Sequence, residues 1–300
     1  MSSSLPNSSD QLEAVIAQLF VYPVKSCGPL AVDSALLTDQ GLEFDRAWMV
    51  VDAQGEFYSQ REFPRLALVQ PQMRQNDLVL RAPGMLALHL SLDGVESAAR
   101  VSLWGEDLDA WDMGPLAAQW FSDFLGAPAR LVRFDPEVER ASSRQWTGGE
   151  TALNQFSDGF PLMVISQPSL DELNRRLQAQ GQASVPMARF RPNIVLAALP
   201  GSPGESWHAH DEDRVDLLHI QTADQLVQLR PVKPCARCEI VNLDPLTAER
   251  SPQVLDLLHT YRQDARIDGA LSFGMNLITV AGLEQTLAVG QPVRATLRFD

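Results

Sequence analysis

The stretch KPCARCEIVNLDP, residues 233–245, places two thiols three positions apart, with Lys233 and Arg237 beside them and an apolar run behind the second. What that run forms decides how the thiols are read. A redox dithiol needs its first cysteine at a helix N-terminus, where the dipole lowers the thiol pKa. Residues 238–243 instead read as a strand stopped by Asp244-Pro245. A zinc clip needs further nitrogen or sulfur ligands, and His208, His210 and Cys27 do not supply the spacing of a known finger. Two small, inert, buried cysteines are the plain alternative. Against it stand the flanking cations, which stabilise a thiolate and offer donors to an anion.

Working outward, strand patterns recur at 15–21, 46–52, 66–69, 77–81, 86–92 and 100–104, and again at 162–166, 193–198, 216–220, 272–280 and 293–299. In the first of these Val15, Ala17, Leu19 and Val21 form the alternating apolar set, and Gly55 is placed to turn a hairpin between 46–52 and Phe57-Tyr58. Helices have their own start and stop signals. Pro115 opens and Gly126 closes one. Ser169 and Glu172 have capping-box spacing ahead of Leu173 and Leu177, and Ser251-Pro252 opens a third helix with Leu255, Leu258 and Tyr261 on one stripe. Strands outnumber helices and βαβ alternation is absent, so the expected class is α+β with barrel-like sheets rather than a doubly wound sheet. A Gly- and Pro-interrupted, polar stretch at 126–150 divides a β-rich N-terminal domain, 12–125, from a second domain, 126–298.

Composition narrows the function classes. With 300 residues, 45% of them hydrophobic and 21% charged, the chain is globular, and a net charge of −14 disfavours nucleic-acid polymer or an anionic membrane as a partner of the whole surface. Three cysteines make no disulfide framework, and the polar first ten residues are not a leader, so a cytoplasmic protein is expected. G-x-S-x-G, G-x-x-x-x-G-K-[ST] and H-E-x-x-H are absent. His89, His219 and His259 are isolated from one another. The cations that matter sit at strand ends: Lys25 and Ser26, Arg46, then Arg189, Arg191 and Asn193, then Lys233 and Arg237. Together they point to one pocket for an anionic cofactor, with a thiolate at its reactive end.

In order along the chain, YPVKSC (22–27), DRAW (45–48), FRPNIV (190–195) and CARCEIVNLDP (235–245) resemble the MOSC-domain proteins, in the branch of the mitochondrial amidoxime-reducing component and its bacterial relatives. The resemblance runs over 12–298 and includes WGEDLDAWDMG, FSDGFPLMVISQPSLDELN, FGMN and VGQPV. Each motif alone is unspecific, and their order is what makes the signal. It implies a β-barrel-like MOSC domain behind a β-rich MOSC-associated domain, and a molybdenum cofactor (Mo-molybdopterin) whose metal is held by Cys238. It further implies Lys25, Ser26, Arg46, Ser157, Asp158, Arg191, Asn193 and Arg237 as cofactor-binding residues. The implied activity is reduction of N-hydroxylated compounds, amidoximes or hydroxylaminopurines, to amines. No cysteine follows Cys238, so electrons are expected from a separate flavoprotein or iron–sulfur protein. Asp158 and Asp244 are candidate general acids through their place in the matched segments. A carrier of the cofactor or of sulfur on Cys238 is the alternative implied by related modules fused to cofactor sulfurases. The pyridoxal-phosphate domain of those fusions is absent, so pyridoxal-phosphate binding and sulfurase activity are not expected. The family's FGQN-like motif reads Phe273-Gly-Met-Asn276, which departs at its third position.

Overall fold

The structure, a computed structural model, describes residues 11–95, 97–199, 201 and 207–298. At its centre seven strands close into a barrel, as the α+β expectation requires. Round the barrel they run Leu162–Ser166, Ile194–Ala198, Gln11–Val21, Pro292–Leu297, Val215–Gln221, Leu226–Ala236 and Ala270–Ala281, which pairs back onto the first. Leu162–Ser166 and Ile194–Ala198 lie parallel, and the other pairs are antiparallel. The chain thus builds one barrel strand, leaves at Val21 for the N-terminal unit, and returns at Leu162.

The first strand shows how register sets the interior. Leu12, Ala14 and Ile16 are buried, then Leu19 and Val21, because pairing with Ile194–Ala198 skips a residue between Ile16 and Gln18. A bulge moves the inward phase by one residue. The expected inward set was therefore half right: Val15 and Ala17 are only half-buried. The interior is completed by Val164, Leu196, Leu218, Leu229, Met275, Leu277 and Val293, each such burial contributing about 1.5–3 kcal/mol. Outside the barrel, Gln167–Ala179 and Gln253–His259 lay Leu170, Leu173, Leu177, Val254 and Leu258 on Ile165, Val195 and Phe273.

Pro115–Leu125 starts and stops as expected, with Gly126 left-handed at φ +70°. Two other helix boundaries differ. The cap of Gln167–Ala179 is Ser166, whose hydroxyl accepts from the Ser169 backbone N–H, while the Ser169 hydroxyl donates to buried Glu212. Gln253–His259 takes Pro252 as its cap residue. Two expected strands are instead single 3-10 turns, Pro64–Leu68 and Glu239–Asn242. The strand near the thiols is Leu226–Ala236, which contains Cys235 and ends before Cys238, and its Pro231 and Pro234 hid it. Its pairing with Ala270–Ala281 shifts just after each proline, which is how a sheet accommodates a residue without an N–H. The expected strand at 293–299 is Pro292–Leu297, with Phe299 outside the described residues. The polar N-terminal stretch 1–10 and most of 201–205 also lie outside them.

The N-terminal unit contains a sheet of Trp48–Val51, Arg130–Phe134, Glu106–Asp112 and Ser97–Leu103, and a smaller one of Gln70–Arg74, Asp77–Arg81 and Leu88–Ser91. Pro115–Leu125 packs Phe121 and Phe124 into a core with Trp48, Leu66, Leu78 and Leu80. Gly55 turns the expected hairpin at φ +89°, and a Cβ there would lie 2.5 Å from the Arg100 carbonyl oxygen. Among the described residues no helix is long and apolar enough to cross a membrane.

Candidate functional site

One end of the barrel faces the N-terminal unit across a cavity of about 270 Å³. Lys25, Ser26, Arg46, Ser157, Asp158, Arg191, Asn193, Arg237 and Cys238 all line it. Residues spread from 25 to 238 converge because five chain segments meet at the same rim.

The segment after Gln11–Val21 supplies Lys25 and Ser26. Its turn is pinned when the Lys25 backbone N–H donates to Trp48 O at 2.7 Å, and Ser26 takes a left-handed φ of +67°. Gly28 follows because a Cβ there would lie 2.6 Å from Gln70 Nε2 and 2.9 Å from Val69 O. Lys25 is buried; Nζ donates to Phe156 O at 2.9 Å and to Asp158 Oδ1. Burial lowers its pKa, partly offset by Asp158. Asp158 itself sits at the rim with its side chain 74% exposed. Desolvation by the loop opposes its ionisation, but the charge and hydrogen bond of Lys25, with help from Trp104, hold its carboxyl below the usual range. Ser157 donates to Asn154 Oδ1 at 2.8 Å, and Arg140 clasps this loop through the Gln155 and Ser157 carbonyls.

Arg46 and Arg191 stack on Tyr22, each guanidinium carbon 4.3 Å from the ring centroid. Arg46 also donates to Asp45 Oδ2, Asn193 Oδ1 and Arg191 O. Arg191, left-handed at φ +57°, donates to Cys27 O at 2.7 Å. Burial and the neighbouring Arg46 charge pull the Arg191 pKa down, a mutual repulsion that an anion between them would relieve.

Two of the motif residues have their donors engaged by the protein itself. Asn193 Oδ1 accepts from Met163 N at 3.1 Å and its Nδ2 donates to Phe20 O at 3.2 Å, so it staples two barrel strands and orients Arg46. Arg237 donates through Nε and Nη2 to Phe273 O and through Nη1 to Phe190 O. It is a peg across the barrel end.

Three cations the motifs did not single out as site residues complete the lining. Arg189 has a side chain only 6% exposed; Nη2 pairs with Asp244 at 3.0 Å, but Nε and Nη1 are buried with no partner among the described residues. Lys233 lies over the rings of Trp146 and Phe160 at 5.3 and 5.9 Å. Arg61 lines the cavity together with Cys238 and lies over the Trp104 ring. Arg189 and Lys233 were legible as strand-end cations, whereas Arg61 carried no sequence signal, because it comes from a loop of the N-terminal unit.

The thiols are unequal. Cys27 is fully buried in an apolar core, which pushes its thiol up to about 12. Cys235 packs with Phe20 and Val241, and burial raises its pKa too. Cys238, at the start of the Glu239–Asn242 turn, lines the cavity beside Arg61. Among the described residues no cluster of three or more His, Cys, Asp and Glu could hold a metal ion, and His210 packs on Tyr261 and Phe273. Among the described residues the zinc alternative therefore lacks a ligand set. Asp158 and Asp244 both have lowered pKa values: desolvation opposes ionisation of Asp244, but backbone N–H donors and Arg189 outweigh it. Both carboxyls are therefore biased toward the ionised, proton-accepting form. Gly274, at φ +81°, has no room for a Cβ, which would meet Ile165 Cγ1 at 2.5 Å. Next to it, the divergent Met275 is buried in the barrel interior.

A β-barrel with a cavity lined by cations and by the thiols of Cys235 and Cys238 is the class that fold and site define. Residues 13–128 match the MOSC N-terminal beta barrel domain and residues 152–294 the MOSC domain, and the chain belongs to the MOSC family. It is 33% identical over 273 residues to "Mitochondrial amidoxime reducing component 2" of Rattus norvegicus, covering 86% of this chain and 75% of that protein. With "Mitochondrial amidoxime-reducing component 1" of Mus musculus it shares 32% identity over 262 residues, 84% and 72% of the two chains. With "Molybdenum cofactor sulfurase" of Homo sapiens it shares 28% over 308 residues, 95% of this chain and 32% of that longer protein.

Proposed function

We propose that this protein is a molybdenum-cofactor-dependent oxidoreductase that reduces N-hydroxylated compounds, such as amidoximes and hydroxylaminopurines, to amines in the cytoplasm. The observation that carries the reading is Arg189. A guanidinium cannot shed its charge, so buried Nε and Nη1 without acceptors call for an anion in the cavity. The donor set fits the cofactor: Lys25, Ser26, Arg46, Arg189 and Arg191 would hold its pterin and phosphate, and Cys238 offers the soft sulfur that suits molybdenum. The names of the rat and mouse relatives support the same chemistry.

When bound, the cofactor supplies the two-electron couple. For an amidoxime the balance is two electrons and two protons in, the N–O bond broken, and an amidine and water out. The electrons would come from a separate flavoprotein or iron–sulfur protein. The chain's own part is to hold and exclude. Asn193 and Arg237 fix the barrel end, Tyr22 spaces Arg46 from Arg191, and Arg61 adds a positive charge to the cavity that Cys238 lines.

Elemental and pterin analysis of purified protein tests this. Near-stoichiometric molybdenum is expected, lost in Cys238→Ser and retained in Cys235→Ser. Zinc lost equally from both variants would overturn it. The alignment with the human sulfurase over 95% of this chain favours a second reading, a carrier of the cofactor or of sulfur on Cys238. Molybdenum present in a protein whose reduced form no N-hydroxylated compound oxidises would select that one.

A further inference from the structure

The hairpin between Ser97–Leu103 and Glu106–Asp112 turns through Trp104 and Gly105, with Leu103 paired to Glu106. Both turn residues have positive φ, +57° and +78°, the type I′ geometry that favours Asn-Gly. A bulky L-residue in the left-handed region carries a steric penalty, and burial does not offset it, because Trp104 remains 47% exposed. Turn formation therefore does not explain the indole. Its position does.

Trp104 lines the cavity from the N-terminal unit. Its Nε1 donates to Asp158 Oδ1 at 3.2 Å, and its ring lies 4.7 Å from that of Phe57. The planar Arg61 guanidinium sits 5.1 Å over the indole, in the manner of a flat conjugated group, and Arg61 lines the same cavity as Cys238. The indole and the thiol thus face one cavity.

We infer that Trp104 is the stacking platform that selects flat, conjugated N-hydroxylated substrates, an amidoxime on an aromatic ring or a hydroxylamino heterocycle, a specificity that rests on the N-reductive reading above. Asp158 completes it. Oδ1 is taken by Lys25 and Trp104, while Oδ2 makes no hydrogen bond among the described residues and can accept from the amino group beside the N–O bond. The strained turn is the structural cost of presenting an aromatic face where substrate enters.

The test compares benzamidoxime with acetamidoxime, the same reacting group on a ring or on a methyl, in wild type, Trp104→Asn and Trp104→Phe. Asn suits a left-handed turn, so Trp104→Asn keeps the hairpin, and molybdenum content verifies loading. The preference of wild type for benzamidoxime in kcat/KM should exceed that of Trp104→Asn by about 10-fold. The loss in Trp104→Asn should fall on the KM for benzamidoxime, with Trp104→Phe in between. An unaltered preference in folded, loaded Trp104→Asn overturns the inference. Calorimetric binding of the two compounds separates this failure from that of the function. If wild type reduces neither but binds benzamidoxime more tightly, and Trp104→Asn loses that margin, the N-reductive reading fails and the platform stands. Equal binding of both compounds by wild type overturns the platform.

Discussion

Two approaches to the cavity carry arginines of similar sequence setting: the end of Leu226–Ala236, with Arg237 just beyond it, and the turn Met187–Phe190, with Arg189 inside it. Arg237 meets the carbonyls of Phe273 and Phe190, so its charge is satisfied by the barrel. Arg189 has one carboxylate, Asp244, and two buried N–H groups without an acceptor. The first holds the wall together and the second calls for something the wall does not contain. Sequence setting alone does not separate them, since both read as cations at strand ends. What separates them is whether neighbouring backbone has already supplied the acceptors.

The contrast can be broken most forcefully at Arg237. Arg237→Ala strips donors from two carbonyls at about 1–3 kcal/mol each, so a loss of about 3 kcal/mol is expected as a lower urea midpoint with an unchanged slope. Arg189→Met should do the reverse. Stability should stay within about 1 kcal/mol of wild type, because the lost ion pair involves a partly exposed Asp244 and an awkward buried charge disappears. The rise in Tm that inorganic phosphate gives wild type, relative to chloride at equal ionic strength, should vanish. A strongly destabilised Arg189→Met that keeps its phosphate response would erase the distinction.

His210 sharpens the contrast with the smallest effect. Both of its ring nitrogens lack partners, as in Arg189, yet it lies against Tyr261 and Phe273. A histidine can discard its charge. Burial, with Arg262 and Arg176 adding to it, brings the pKa down to about 4 from 6.5. Between those values the unfolded chain binds the proton that the folded protein refuses, so stability falls as pH drops from 6.5 towards 4. His210→Phe should flatten that slope and leave stability near pH 7 little changed, as read by urea unfolding at the two pH values. An unpartnered group thus marks a ligand site only when it cannot neutralise itself.

Much of the site was readable from order and residue type. Lys25, Ser26, Arg46, Arg191 and Cys238 stand in short motifs whose chemistry suits an anion and a soft metal, and the structure brings all five to one cavity. Pro115 and Gly126 marked a helix because their backbone restrictions act locally. Where the reading failed, a partner distant in sequence had intervened. Residues 238–243 have strand composition but form the turn Glu239–Asn242, and the barrel pairs the proline-bearing Leu226–Ala236 instead. Ser169 looked like a cap, but Glu212, 43 residues further along the chain, takes its hydroxyl.

The sequence by itself determined which chemical groups exist and in what order, and hence the family and the α+β class. Only the tertiary structure decided which of those groups remain available. Arg61 and Trp104 approach the thiol from a different unit of the fold, and the donors of Arg237 and Asn193 are engaged by carbonyls of other strands. Composition and spacing are properties of a residue and its neighbours in the chain. Satisfaction of a hydrogen bond is a property of whatever the folded chain brings within about 3 Å.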